Sequence, residues 1–322
     1  FPGREVPGLK LKQVADFNLN PPPSTGAKIG QLLYRGEPLD TPIRIPTRTM
    51  TRHTFITGLT GSGKTNTCLA LLEDAYRANK LNFLVVDPAK TEYRFLLNSP
   101  ILGKDLLLFT LGDEQTSPFR LNPFEFVRGF PLLGHIDLIK AVFNAAFPMY
   151  ASMPYLLEKA ILEIYRERGW NVSTSQNRYL PDINDPQVDY TPYLPRLGDL
   201  YSKIDAIVLS EKYDPKVTQD LTAALKARLG SLMAGGKGRM LDTPRSIPIR
   251  DLLERPVVLE LRRAGDDDER AFIMALLFCL LYEACQSRKL SGKLQHVTLF
   301  EEAHRLLRNL PVSVSMESAN PR

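Results

Sequence analysis

The run Gly58-Leu59-Thr60-Gly61-Ser62-Gly63-Lys64-Thr65 constrains this chain more than any other stretch. It fits the pattern G-x-x-x-x-G-K-[ST] without a mismatch, and the pattern has meaning only between a strand and a helix. The flanks supply that setting. Thr54–Thr57 reads as a short buried strand, and Asn66 to Tyr76 reads as a helix. Glycines permit positive φ, so successive N–H groups can turn inward on phosphate oxygens. The helix that follows adds its first-turn amides and the positive end of its dipole. A nucleoside triphosphate is the expected ligand, cradled by Gly58, Thr60, Gly61, Ser62, Gly63, Lys64, Thr65 and Asn66. Lys64 would reach the β- and γ-phosphates, and the Thr65 hydroxyl would ligate Mg²⁺.

The rest of the chain is long enough to surround such a loop with one large core and an inserted subdomain: it has 322 residues, 43% of them hydrophobic. The net charge of +5 permits a nucleic-acid partner without requiring one. Cys68, Cys279 and Cys285 sit in apolar helical patterns and read as reduced core residues of a cytosolic protein. No signal peptide is visible. The longest apolar run, Ala271 to Tyr282, is too short to span a bilayer, so membrane insertion is not expected and a cytoplasmic location is.

Residues 1–50 are rich in proline and turn residues, with strand-like fragments at Lys28–Leu32 and Ile43–Pro46, and read as an entry region at the edge of a small β-domain. Residues 51–126 read as the first part of an α/β core. Its later strands are Leu81–Asp87, which ends in an acid before Pro88, and Asp105–Thr110. Strands that alternate with helices imply a parallel sheet covered on both faces. Residues 127–250 turn helical, at His135–Phe147, Tyr155–Arg168 and Thr218–Met233, and read as an insertion. The core resumes over 251–322 with the strand Pro256–Leu261, an acidic loop at Asp266–Glu269, a helix to about Arg288 and the strand His296–Glu301.

That last strand runs straight into Glu301-Glu302-Ala303-His304, the pattern of a Walker B strand. A parallel strand delivers its terminal carboxylates to the same sheet edge as a phosphate loop. Glu301 would hold the Mg²⁺ shell, and Glu302 would orient the attacking water. Glu301 stands where Asp is usual and is one methylene longer, so its metal contact is expected to run through water.

Four stretches together resemble the HerA-type ATPases, which belong with the FtsK and VirB4 motors. They are Arg52–Gly58 leading into the loop, Asp87-Pro88-Ala89-Lys90-Thr91-Glu92-Tyr93, Leu121-Asn122-Pro123-Phe124, and Phe300-Glu301-Glu302-Ala303-His304-Arg305. The resemblance implies a RecA-like α/β P-loop core with a mostly helical insertion. It also implies ATP and Mg²⁺ as cofactors, a hexameric ring, double-stranded DNA in its pore, and a nuclease or sirtuin-like NADase effector in antiviral defence. Arg52 matches an arginine that reaches a neighbour's γ-phosphate in such rings, or else is a surface arginine at a strand start. Asp87 would act near Mg²⁺ or the water, or else ends its strand as a turn device. The family carries a further strand with a polar sensor, which implies sheet beyond Arg322.

Lys237 and Arg239, in Gly235-Gly236-Lys237-Gly238-Arg239, read as a mobile basic loop suited to DNA phosphates, or as a solvated helix end and turn. His304 reads as packing or coupling in the first turn after the acids, and Trp170 as a core or interface anchor. Two other functions fit the same residues. One is a VirB4-like ATPase for secretion or conjugation. The other is a nucleotide-gated scaffold that regulates an effector.

Overall fold

A computed structural model describes residues 25–46, 48–288 and 294–303. The chain forms two compact units, Phe1–Ala78 and Asn79–Arg322.

The first unit holds a β-hairpin, the phosphate loop and its helix. Strands β1 (Ala27–Tyr34) and β2 (Glu37–Ile45) pair antiparallel, with register shifts between Lys28 and Gly30 and between Gln31 and Leu33. The hairpin turns through Arg35 and Gly36, both at positive φ. Asp74, on helix α1 (Lys64–Asn79), ties the hairpin down, accepting from the Lys28 amide at 2.6 Å and from Arg44 at 3.4 Å. The expected strand at Thr54–Thr57 does not form: the segment carries no strand pairing, and Phe55 is 80% exposed. The reason lies in the pairing. An apolar run becomes a buried strand only when a neighbour takes its backbone groups, and none does so among the described residues.

The second unit is built on a parallel sheet of order β4-β7-β3-β8. Its strands are β3 (Asn82–Asp87), β4 (Leu107–Thr110), β7 (Val257–Glu260) and β8 (His296–Phe300). Between β4 and β7 in the chain lies a two-residue ribbon of β5 (Trp170–Asn171) and β6 (Gln176–Asn177). Strands β3 and β7 are buried almost throughout, as strands covered on both faces must be. The register sets Val86 beside Phe300 and Leu259, and Asp87 beside Glu260, so the strands end together at one edge.

The helical block comprises α2 (Leu132–Ala146), α3 (Met153–Glu167), α4 (Leu197–Ser210), α5 (Pro215–Leu232), α6 (Gly235–Leu241) and α7 (Ile249–Leu253). Helix α8 (Asp267–Ser287) follows β7. The acidic stretch expected as a loop opens α8 instead. Asp266 caps the Glu269 amide at 2.9 Å while Glu269 returns to the Asp266 amide at 3.1 Å, a reciprocal capping box.

Helices α2 and α8 are joined by a buried pair. His135 Nδ1 meets Glu283 Oε1 at 2.6 Å, and Glu283 Oε2 accepts the Val127 amide at 3.0 Å. Trp170 packs edge-on to Phe126 and donates to the Tyr193 carbonyl, so it is a core anchor with its N–H satisfied. Cys68 is buried and Cys279 half-buried, but Cys285 is exposed on α8 rather than in the core. Among the described residues α8 alone has the length and apolarity to cross a membrane. Here it is a core helix, with Phe272, Ile273, Met274 and Leu277 fully buried.

Candidate functional site

In the first unit, Gly61 and Gly63 adopt φ of 79° and 89°, the left-handed conformations that the loop needs and glycine supplies. A Cβ at Gly58 would lie 2.5 Å from Ser62 Oγ, so the serine hydroxyl would have to turn away. The loop is closed by the Ser62 amide on the Leu59 carbonyl at 3.1 Å. Helix α1 starts at Lys64, so the amides of Lys64, Thr65 and Asn66 open it without acceptors one turn back in the helix. The Lys64 ammonium donates to the carbonyls of Gly58 and Leu59 at 2.9 and 3.0 Å. Arg52 is exposed, in extended backbone after a 3-10 turn at Thr49–Thr51.

In the second unit the strand tips gather acids. Asp87 ends β3 and is 1% exposed. Its Oδ1 accepts the amides of Ala89 and Lys90 at 3.1 and 2.8 Å, whereas Oδ2 is buried without a partner among the described residues. Burial pushes its pKa up to about 6, with the nearby carboxylates of Glu301 and Glu260 adding to the rise and the two amides opposing it. Glu301 continues β8, its amide on the Val86 carbonyl at 3.0 Å, and its Oε1 accepts the Tyr93 hydroxyl. Glu302 follows at φ 50°. That left-handed conformation costs a non-glycine residue about 1–2 kcal/mol and marks a position held by its surroundings.

Three further residues at this edge were not singled out in the sequence. Glu260 ends β7, fully buried, and is gripped by Arg94 through Nε and Nη2, both at 2.6 Å. Thr110, at the tip of β4, joins them, donating to Glu260 at 3.2 Å. A usable signal existed: Glu260 is the one acid inside the apolar run Pro256–Leu261, and an acid there must have a partner.

The oxygen donors here suit a hard cation, and the orphaned Asp87 Oδ2 points the same way. No group of three ligand side chains able to cage a metal occurs among the described residues.

Lys237 and Arg239 lie on α6, a helix rather than a mobile loop. Lys237 is ion-paired with Glu269 and only 13% exposed at its side chain, while Arg239 is exposed. Arg239 lines an open cleft of about 780 Å³ with Asp113, Asp242 and Arg263, and Arg263 is paired to Asp113 at 2.5 Å. His304 and Arg305 lie outside the described residues.

The sequence family described as "Helicase HerA, central domain" matches residues 27–277. The chain belongs to the HerA family. Comparison with curated protein sequences returned no significant match. Among solved structures, VirB4 of Thermoanaerobacter pseudethanolicus superposes with a TM-score of 0.52 at 16% identity, covering 77% of this chain and 82% of that one. That likeness is one of fold. The family match places this chain in the HerA/FtsK/VirB4 superfamily of P-loop ATPases, and the parallel sheet with its flanking helices agrees with it.

Proposed function

We propose that this HerA-family chain hydrolyses ATP to drive a homohexameric ring along double-stranded DNA, beside a nuclease or sirtuin-like NADase effector in cytoplasmic antiviral defence. The observation that carries it is a complete hydrolytic set in a HerA-family chain: Lys64 and Thr65 on the loop, Glu301 and Glu302 after β8. Residues 51–126 and 251–322 would be the two parts of the ATPase core, 127–250 the insertion, and 1–50 the edge of a small β-domain.

In this reading Gly58 to Asn66 bind the phosphates, and Thr65 and Glu301 hold the Mg²⁺ shell. Bound Mg²⁺ supplies charge neutralisation on the phosphates. Glu302 orients the water and takes its proton, Asp87 sits near it, and Arg52 acts on the nucleotide of a neighbouring subunit. Of the basic pair on α6, Arg239 is the residue presented to a DNA phosphate, because Lys237 is engaged by Glu269.

The likeness to VirB4 keeps a second reading alive, an ATPase that powers secretion or conjugation. A nucleotide-gated scaffold is the third. ATP turnover with and without linear duplex DNA separates them. Strong stimulation by DNA, lost in Glu302→Gln, supports the motor. Turnover that duplex DNA leaves unchanged points to the export ATPase. ATP-dependent ring assembly without turnover replaces both with the scaffold.

A further inference from the structure

The 3-10 segment Glu92–Asn98 follows β3, which lies between β7 and β8 in the sheet. Its consecutive residues reach opposite ways. Arg94 grips Glu260 at the tip of β7, and Tyr93 donates its hydroxyl to Glu301 Oε1 beyond the tip of β8. Tyr93 is 1% exposed, so its ring is fixed by packing and its hydroxyl has little freedom to turn elsewhere. Glu301, by contrast, is a long side chain at a partly open strand end. A glutamate there loses rotamer freedom when it binds a cation's water shell. A buried hydroxyl that holds one oxygen removes that cost beforehand, and it leaves Oε2 without a partner among the described residues.

We propose that Tyr93 is a positioning residue: its hydroxyl locks Glu301 Oε1 so that Oε2 is presented to the hydrated cation of the bound nucleotide. This rests on the reading of Glu301 given above. It assigns the Glu92-Tyr93-Arg94 segment a task in the site, with Tyr93 setting one acid and Arg94 neutralising the other. Outer partners of this kind typically change metal affinity or activity by about 10–100-fold.

The test uses the full chain with Mn²⁺ as the probe. Mn²⁺ affinity in the presence of ADP is read by electron paramagnetic resonance, beside kcat and KM for ATP. Tyr93→Phe is expected to weaken Mn²⁺ about 10-fold and lower kcat to a similar degree, with KM for ATP within about twofold. Adding Tyr93→Phe to Glu301→Gln is expected to change nothing further, because the hydroxyl acts only through that carboxylate. A Tyr93→Phe chain that binds Mn²⁺ as the unaltered chain does, or two substitutions whose losses multiply, overturns the positioning role.

Were Tyr93→Phe not to fold, Tyr93→Met takes its place. It keeps an apolar side chain at this buried position and removes the hydroxyl, so an undiminished Mn²⁺ affinity there overturns the role equally. An unaltered chain that binds no Mn²⁺ with ADP and hydrolyses no ATP overturns the ATPase reading itself. Normal binding and turnover that Tyr93→Phe leaves untouched overturns the role of Tyr93 alone.

Discussion

Replacing Arg94 by Met tests whether the buried acid of β7 depends on its clamp. Glu260 is fully buried and takes two guanidinium bonds at 2.6 Å, with Thr110 as its remaining side-chain partner at 3.2 Å. Breaking a buried ion pair from one side costs about 3–5 kcal/mol. The Arg94 side chain is 49% exposed, so water already screens part of the attraction, and about 2–3 kcal/mol is expected. Methionine keeps most of the stem, so little of this is lost packing.

Urea unfolding followed by Trp170, the single tryptophan, measures the loss inside the same unit. Adding Glu260→Gln to Arg94→Met should restore at least half of the stability at pH 7. A loss under about 1 kcal/mol at pH 7, or a double variant no more stable than Arg94→Met, would refute the account of a buried charge held by its partner.

Three further outcomes are expected. Gly238→Ala should destabilise by about 2–3 kcal/mol in the same unfolding assay, since its Cβ would lie 2.0 Å from the Met233 carbonyl oxygen, which is backbone and cannot yield cheaply. His296 is held neutral by burial, its pKa lowered from 6.5 to about 4, while its Nδ1 donates to the Leu253 carbonyl at 3.0 Å. Below pH 6.5 the unfolded chain takes up a proton that the folded chain refuses, so stability falls with pH, by about 2 kcal/mol between pH 7.5 and 5; His296→Gln should remove that component from the pH dependence of urea unfolding. Glu302→Asn should unfold at a urea concentration no lower than the native chain, because Asn tolerates φ near 50°, while ATP turnover falls by about 100-fold or more.

The strands of the sheet were readable because each is a continuous apolar run, and Leu81–Asp87, Pro256–Leu261 and His296–Glu301 all appear within a residue or two of their expected bounds. Helices α2, α3 and α5 were readable from their spacing. Helix α4 has the same kind of signal, with Leu197, Leu200, Ile204, Ile207 and Val208 at three- and four-residue steps, but it was not among the expected helices.

Helix α6 was concealed by its glycines. Gly236 and Gly238 are there because Gly112 and Met233 carbonyls approach too closely for any side chain, so residues that read as flexibility serve packing. The phosphate loop was legible as a motif, since it is one contiguous segment. The clasp of Tyr93 on Glu301 and Arg94 on Glu260 was not, because its partners lie 208 and 166 residues apart in the chain and meet only through sheet order.

In the function proposed above, this chain turns over ATP through its loop and its strand-end acids. The most direct test is steady-state phosphate release by the native chain, Lys64→Ala and Glu302→Gln with Mg²⁺. The native chain is expected to turn over ATP, and each variant to lose about 100-fold or more, with Glu302→Gln still binding ATP. Undiminished phosphate release by Lys64→Ala or by Glu302→Gln would contradict that function.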